Sequence, residues 1–209
     1  MALIRNPDDV RRQVRSIDSD ALPVPRGLFL VAPASFRVDP ESSVDNRYMD
    51  LERAADPDLA LRQFQALAEA IAACGVPAVL FPGHRDTPDA VFPNNVFGTA
   101  PGRYVVGAMC HSGRRKEAER VDIRRFFDDV LGREAWDLSA CECVAELTGS
   151  IVVDRSRRVG FCGLSKRADT KGAELMHEAF DLRLTFAFDL RPTEYHTNVV
   201  MSVLAGRAL

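Results

Sequence analysis

Three short polar stretches stand immediately before apolar, strand-like runs: Phe92-Pro93-Asn94-Asn95 before Val96, Ala145-Glu146-Leu147-Thr148-Gly149 before Ser150, and Glu194-Tyr195-His196-Thr197-Asn198 before Val199. Between them they offer amides, a carboxylate and an imidazole. A carboxylate beside a His fixes the imidazole tautomer and raises its basicity, which is what general acid–base catalysis needs. Taken singly, each residue has an ordinary explanation, since Asn before a strand is a turn residue and a lone His is most often structural. Their equivalent places in a repeated unit outweigh that explanation. If the units surround a common axis, Asn95, Glu146 and His196 face one central point.

The unit that must position them is strand, helix, strand, strand. Residues 27–32 form the first expected strand and residues 36–50 a long polar loop. Asp56 and Pro57 then open a helix in which Leu59, Leu61, Phe64, Leu67, Ala68 and Ile71 recur at helical spacing until Gly75 stops it. Strands follow at residues 76–81 and 96–99. The order returns with a strand at 104–108, a helix at 114–131 carrying Ile123, Phe126, Phe127, Val130 and Leu131 on one face, and strands at 135–138 and 150–154. A third round has a strand at 159–162, a helix at 170–180, a strand at 184–188 and an apolar run at 199–204. Residues 1–26, punctuated by Pro23 and Pro25, read as a charged leader with one short helix within 8–17 and little to place in a core. The expected domain occupies residues 27–209.

Composition excludes several classes. Lys plus Arg number 27 against 30 Asp plus Glu, a balance that supplies no field to draw in a phosphate backbone, so nucleic acid is not an expected partner. No apolar run reaches the length of a bilayer span, and the start lacks the apolar segment of a secretory signal, so neither a membrane nor export is expected and a cytoplasmic location is. Five cysteines, Cys74, Cys110, Cys141, Cys143 and Cys162, are an odd number in a chain too large to need staples, which fits reduced thiols. The Cys141 and Cys143 spacing matches no common zinc pair. Cys162, in a strand, reads as a small buried hydrophobe.

At the polar stretches the sequence resembles the guanidine-modifying, or pentein, superfamily. Pro88-Asp89-Ala90-Val91-Phe92-Pro93-Asn94-Asn95 looks like the segment with which dimethylarginine dimethylaminohydrolases and their relatives hold the guanidino group. Ser112-Gly113-Arg114-Arg115-Lys116-Glu117 resembles a second segment, and Gly163-Leu164-Ser165-Lys166-Arg167 followed by Lys171-Gly172-Ala173-Glu174 a third. The resemblance implies that Arg114 and Arg167 contact the substrate carboxylate, that His196 is the catalytic His with Glu146 as its partner, and that Asp89, Asn94, Asn95 and Asn198 hold the reacting group. The implied fold is an incomplete α/β propeller of three units. The implied function is hydrolysis of a C–N bond in an arginine-like or citrulline-like side chain through a covalent Cys intermediate, with a small amino acid as partner and no metal or organic cofactor.

Two departures from the family pattern carry expectations of their own. The superfamily's nucleophilic Cys would fall beyond Leu209, so the chain by itself is expected to be inactive. Asn95 stands where arginine and dimethylarginine hydrolases carry an Asp; an amide offers one acceptor and one donor face and suits a neutral ureido group better than a cation. A transamidinase of the same superfamily and a non-catalytic amino-acid-binding protein remain alternatives. A nucleotide-binding doubly wound fold is disfavoured because no Gly-rich phosphate loop follows the first strand. An open strand edge at residues 199–204 leaves room for a homo-oligomer.

Overall fold

Residues 3–18, 24–34, 36–52, 55–204 and 207–208 are described by the computed structural model. Pro23, with the rest of residues 19–23 in the expected leader, and the end of the last unit at residues 205, 206 and 209 lie outside the described residues. The chain opens with β1 (Leu3–Ile4) and α1 (Pro7–Val14); Pro7 fills the first helical turn and the Asn6 side chain accepts from the Asp8 amide. β1 runs parallel to a strand far along the chain, with Leu3 opposite Thr185, and Val10 is buried against Val159 and Leu184. The expectation that little of residues 1–26 enters a core is therefore corrected. Val10 and the half-buried Val14 and Ile17 make an apolar face that the surrounding charges conceal in the sequence.

The first unit follows the expected order: β2 (Leu28–Val31), a short α2 (Pro40–Ser43) inside the polar loop, α3 (Pro57–Ala73) and β3 (Ala78–Phe81). Asp56 caps α3 by accepting from the Leu59 amide. Gly75 ends it at a φ of 71°, a left-handed conformation that favours Gly. β2 and β3 pair in parallel from Leu28 opposite Ala78 to Val31 opposite Phe81. Two 3-10 turns, Pro88–Val91 and Pro93–Asn95, then lead into β4 (Phe97–Ala100).

β4 returns antiparallel on β5 (Arg103–Val106), which in turn lies parallel to β6 (Glu134–Asp137). The helix expected over residues 114–131 is broken in three: α4 (Ser112–Ala118), α5 (Val121–Arg125) and a π-helical turn at Phe126–Val130. Arg120, with a ψ of 99°, interrupts the spiral, and the break lets Ile123 and Phe127 join Ala118 in one core with Val31, Phe97 and Tyr104. The next group repeats the pattern, with α6 (Leu147–Ser150), β7 (Ile151–Asp154) antiparallel to β8 (Val159–Leu164), α7 (Thr170–Ala179), and β9 (Leu184–Asp189) parallel to β8. A 3-10 turn at Thr197–Val199 precedes β10 (Val203–Leu204), antiparallel to β11 (Arg207–Ala208).

The result is a mixed α/β fold of separate sheets and not a closed barrel. The pairing redraws the repeat, because each unit's last strand bonds to the first strand of the next. The hydrogen-bonded group is therefore strand, strand, helix, strand, as in β4-β5-β6 and β7-β8-β9. The connection entering β4, β7 and β10 thus arrives at the same end of successive groups. α6 lies against both 3-10 turns, one carrying Asn95 and the other following His196.

Candidate active site

The Pro88–Asn95 segment is held from behind by an arginine. Arg114, at the start of α4 and 3% exposed, donates from Nη1 to the Asp89 carbonyl at 2.7 Å and from Nη2 to the Phe92 carbonyl at 3.0 Å. Those bonds fix both ends of the first turn and carry the chain to Asn94 and Asn95. Asn94 Nδ2 donates to Asn95 Oδ1 at 3.0 Å, and Thr148 Oγ1 donates to the Asn94 carbonyl at 2.9 Å, tying this turn to α6.

Glu146, fully buried at the entry to α6, is the hub. It accepts from the Cys110 amide at 3.3 Å, from Arg167 Nη1 at 3.1 Å to Oε2, and from His196 Nε2 at 2.8 Å to the same oxygen. Burial opposes its charge, but the His196 bond and the Arg167 guanidinium outweigh burial and hold the carboxyl down at about 2. The His196 imidazole is pushed below its usual value by burial, which the Glu146 contact only partly offsets. A neutral imidazole donating from Nε2 leaves Nδ1 as the acceptor nitrogen. Nδ1 and Asn95 Oδ1 flank Gly149: a Cβ there would sit 2.9 Å and 2.6 Å from them, closer than real Cβ atoms come. Only Gly lets α6 approach both.

Arg167 is committed on its other side too. Nε donates to Asp45 Oδ2 at 3.0 Å, Nη2 to Asp45 Oδ1 at 2.5 Å, and Nη2 again to the Ser42 carbonyl at 3.2 Å. The loop bearing Asp45 is clamped at further points. Glu41 accepts from the Ser112 and Gly113 amides at 3.1 Å each and from Ser112 Oγ at 2.8 Å, bonds that lower its carboxyl to about 2. Arg47 pairs with Glu194 at 2.7 Å, and the Tyr48 hydroxyl donates to the same carboxylate at 3.1 Å.

Beneath this loop lies a cavity of about 620 Å³ whose wall includes Asp89, Asn94, Asn95, Arg114, Arg167, His196 and Asn198. Every site residue designated from sequence lines it except Glu146, which stands directly behind His196. Asn198 is exposed, whereas Asp89 is buried with Oδ1 unpartnered among the described residues. Sequence reasoning missed Asp45, Tyr48 and Tyr195. Asp45 is far in sequence from its partners, and nothing in a polar loop marks one carboxylate as different from the next.

None of the five cysteines lines the cavity. Cys162 is fully buried, and burial pushes its thiol up to about 12, so it packs as the small hydrophobe expected of it. Cys110, half-buried beside Glu146, is likewise raised, first by burial and then by the neighbouring carboxylate. Among the described residues no group of three or more His, Cys, Asp or Glu is placed to hold a metal, and no helix is long and apolar enough to cross a membrane.

The fold recurs in several solved structures. The N-terminal domain of ArgZ, an arginine dihydrolase from the ornithine-ammonia cycle in cyanobacteria, superposes with a TM-score of 0.72 at 19% identity, covering 86% of this chain and 64% of that one. Dimethylarginine dimethylaminohydrolase from Pseudomonas aeruginosa, as a Cys-to-Ser variant complexed with citrulline, gives 0.67 at 20% identity, covering 87% of this chain and 67% of that one. AgrE, in a ternary complex with ornithine and NAD+, gives 0.72 at 20% identity over 86% of this chain and 26% of that one. The chain therefore spans a little under two thirds of the arginine dihydrolase N-terminal domain. No curated protein sequence matches it. The sequence model of the family described as "N,N dimethylarginine dimethylhydrolase, eukaryotic" matches residues 32–209, and the chain belongs to that family, within the guanidine-modifying superfamily.

Proposed function

We propose that the chain carries the substrate-holding and acid–base parts of a cytoplasmic hydrolase that cleaves a C–N bond in a citrulline-like or arginine-like side chain. The observation that carries this reading is the buried His196–Glu146 pair, 2.8 Å apart, on the wall of a cavity lined by Asn94, Asn95 and Asn198. The architecture fits an incomplete α/β propeller, in which Asn95, Glu146 and His196 occupy equivalent places in three units around one axis; their convergence supports it. In the reaction, His196 Nδ1 takes the proton of a Cys thiol, the thiolate attacks the planar guanidino or ureido carbon, and the imidazolium gives that proton to the departing nitrogen as the C–N bond breaks. The imidazole then takes a proton from water, whose oxygen bonds to the carbon as the C–S bond breaks, and the imidazolium returns that proton to the freed thiolate. Glu146 orients His196 and stabilises its cation, and such a positioned acid–base group contributes on the order of a hundred- to ten-thousand-fold in rate. Because none of the chain's cysteines lines the cavity, the nucleophile is assigned to a Cys elsewhere in the full-length protein.

Calorimetry of the chain with citrulline, beside an ammonia-release assay, tests the reading. Saturable binding that His196→Ala and Asn95→Ala weaken, without ammonia release, is the expected result. Failure to bind any of citrulline, arginine or dimethylarginine would remove the substrate assignment, and ammonia release by the chain alone would overturn the assignment of the nucleophile.

A further inference from the structure

Glu117 is a carboxylate that the reaction does not use. It lies three residues beyond Arg114 on α4, on the same helical face, and is 3% exposed. Its Oε2 is 3.4 Å from Arg114 Nε, yet neither Glu117 oxygen nor that Nε has a hydrogen-bond partner among the described residues. The far side of Glu117 meets a void of about 10 Å³ walled by Ala90, Pro93, Val96 and Ile123, room for one water at most. A buried carboxylate left without hydrogen bonds is rare in a folded protein and calls for an explanation.

We propose that Glu117 is a positioning residue whose proton sets how much of the Arg114 charge is available to a ligand carboxylate in the cavity. Arg114 has two ends. Nη1 and Nη2 hold the Asp89 and Phe92 carbonyls of the segment that Arg114 shares with the cavity wall, while Nε points back toward Glu117. The charged groups facing Glu117 are Arg114, which favours its ionised form, and Asp89, Glu146 and Asp39, which oppose it; Arg120 lines the same void. Burial is the largest influence, and with these carboxylates it raises the Glu117 carboxyl to about 8 despite Arg114.

The sign follows. Below that value Glu117 is neutral and takes nothing from the Arg114 charge. Above it the ionised carboxylate pairs with Nε and offsets more of the Arg114 charge, and a ligand carboxylate loses attraction. Affinity for an amino acid is therefore highest on the acid side and falls as pH rises through about 8. This rests on the reading that the cavity takes an amino-acid carboxylate at Arg114.

Two measurements test it. Carbon-detected NMR of the Glu117 carboxyl and nitrogen NMR of Arg114 Nε, from about pH 6 to about pH 10, should show both signals titrating together in the unmodified protein and the Nε signal standing still in Glu117→Gln. A Glu117 that titrates in the ordinary carboxylate range, or an Nε signal that ignores it, overturns the inference whatever the cavity binds. Calorimetry with citrulline at about pH 6.5 and about pH 9 should show affinity falling roughly tenfold more in the unmodified protein than in Glu117→Gln. The variant subtracts the ligand's own amine titration, and equal falls in the two proteins also overturn the inference. No citrulline binding at either pH counts against the substrate assignment instead, and the NMR measurement then decides on Glu117 alone.

Discussion

Asp45 and Arg167 are 122 residues apart in the chain and meet through two hydrogen bonds, Nε to Oδ2 at 3.0 Å and Nη2 to Oδ1 at 2.5 Å. Arg167 divides its donors between this loop carboxylate and Glu146, which holds His196, so one guanidinium links loop closure to the alignment of the imidazole.

Asp45→Asn should therefore act at two places. Both side chains are nearly buried, at 4% and 10% exposure, so removing the charge costs roughly 3 kcal/mol, much of it from Arg167 being left with Glu146 as its one carboxylate partner. Amide hydrogen exchange should quicken across residues 36–52 while the β7-β8-β9 sheet keeps its protection. Asp45 titrates below its usual value, held there by Arg167 against the opposing effect of burial, so its contribution is present above pH 3.8 and fades as pH falls further. Unchanged exchange in the loop would mean that the pair is incidental.

Replacing Glu146 by Gln keeps an acceptor but removes the charge that offsets the burial of His196. The imidazole, already below 6.5, should titrate lower still, which nitrogen-resolved NMR of the ring would read directly. Stability should fall by about 3 kcal/mol at neutral pH because Arg167 loses a buried partner. In the unmodified protein the depressed Glu146 makes stability rise with pH from about 2 to 4.5, and the depressed His196 extends the rise toward 6.5. Glu146→Gln should remove the part of that rise that Glu146 supplies and enlarge the part that His196 supplies, which then begins at lower pH. A His196 value that rises in the variant would mean that Glu146 does not support the cation.

Gly149→Ala tests the approach of α6 to the site. Its methyl would meet Asn95 Oδ1 at 2.6 Å and the His196 ring at 2.8 Å, and both belong to residues anchored elsewhere. Overpacking of this kind costs about 1–3 kcal/mol. The displacement should fall on Asn95 and His196, so citrulline affinity should drop at least tenfold while the far-ultraviolet spectrum stays native. Full affinity in a folded variant would place those two side chains outside the binding contact.

What was legible in the sequence is what local physics writes there. β2, β5, β8 and β9 are apolar runs bounded by turn residues, and α3 carries its Asp56 cap and its Gly75 stop in plain view. Glu146 and His196 were legible because both precede the last strand of a repeated unit. The break at Arg120 was not, because Val121, Ile123, Phe126 and Phe127 continue the apolar spacing on either reading. Glu117 was hidden in a run of charges that normally marks a solvated face, although Arg114 and Glu117 both turn inward. Asp45 acquires its meaning through partners far along the chain, above all Arg167, 122 residues away. The apolar spacing of α3, in turn, promised a buried face, yet none of its residues is buried.

The last prediction concerns substrate charge and follows from Asn95, which shares the cavity with Asn94, Asn198 and His196. Asn95 Oδ1 already accepts from Asn94 Nδ2 at 3.0 Å, so its amide group has a donor side left to offer, as a ureido oxygen would require. An Asp in its place would accept only and would carry charge toward the ligand. A hydrogen bond to a charged group is worth about 1.5–3 kcal/mol, against about 1 for a neutral pair, and a difference near 1.4 kcal/mol is one decade. The unmodified chain should therefore bind citrulline more tightly than arginine, and Asn95→Asp should move the ratio of the two dissociation constants toward arginine by roughly tenfold. Calorimetry with both amino acids, on both variants and at one pH, gives the ratio. If the unmodified chain prefers arginine, or if Asn95→Asp leaves the ratio where it was, the amide does not read ligand charge and Asn95 serves only as the turn residue that leads into β4.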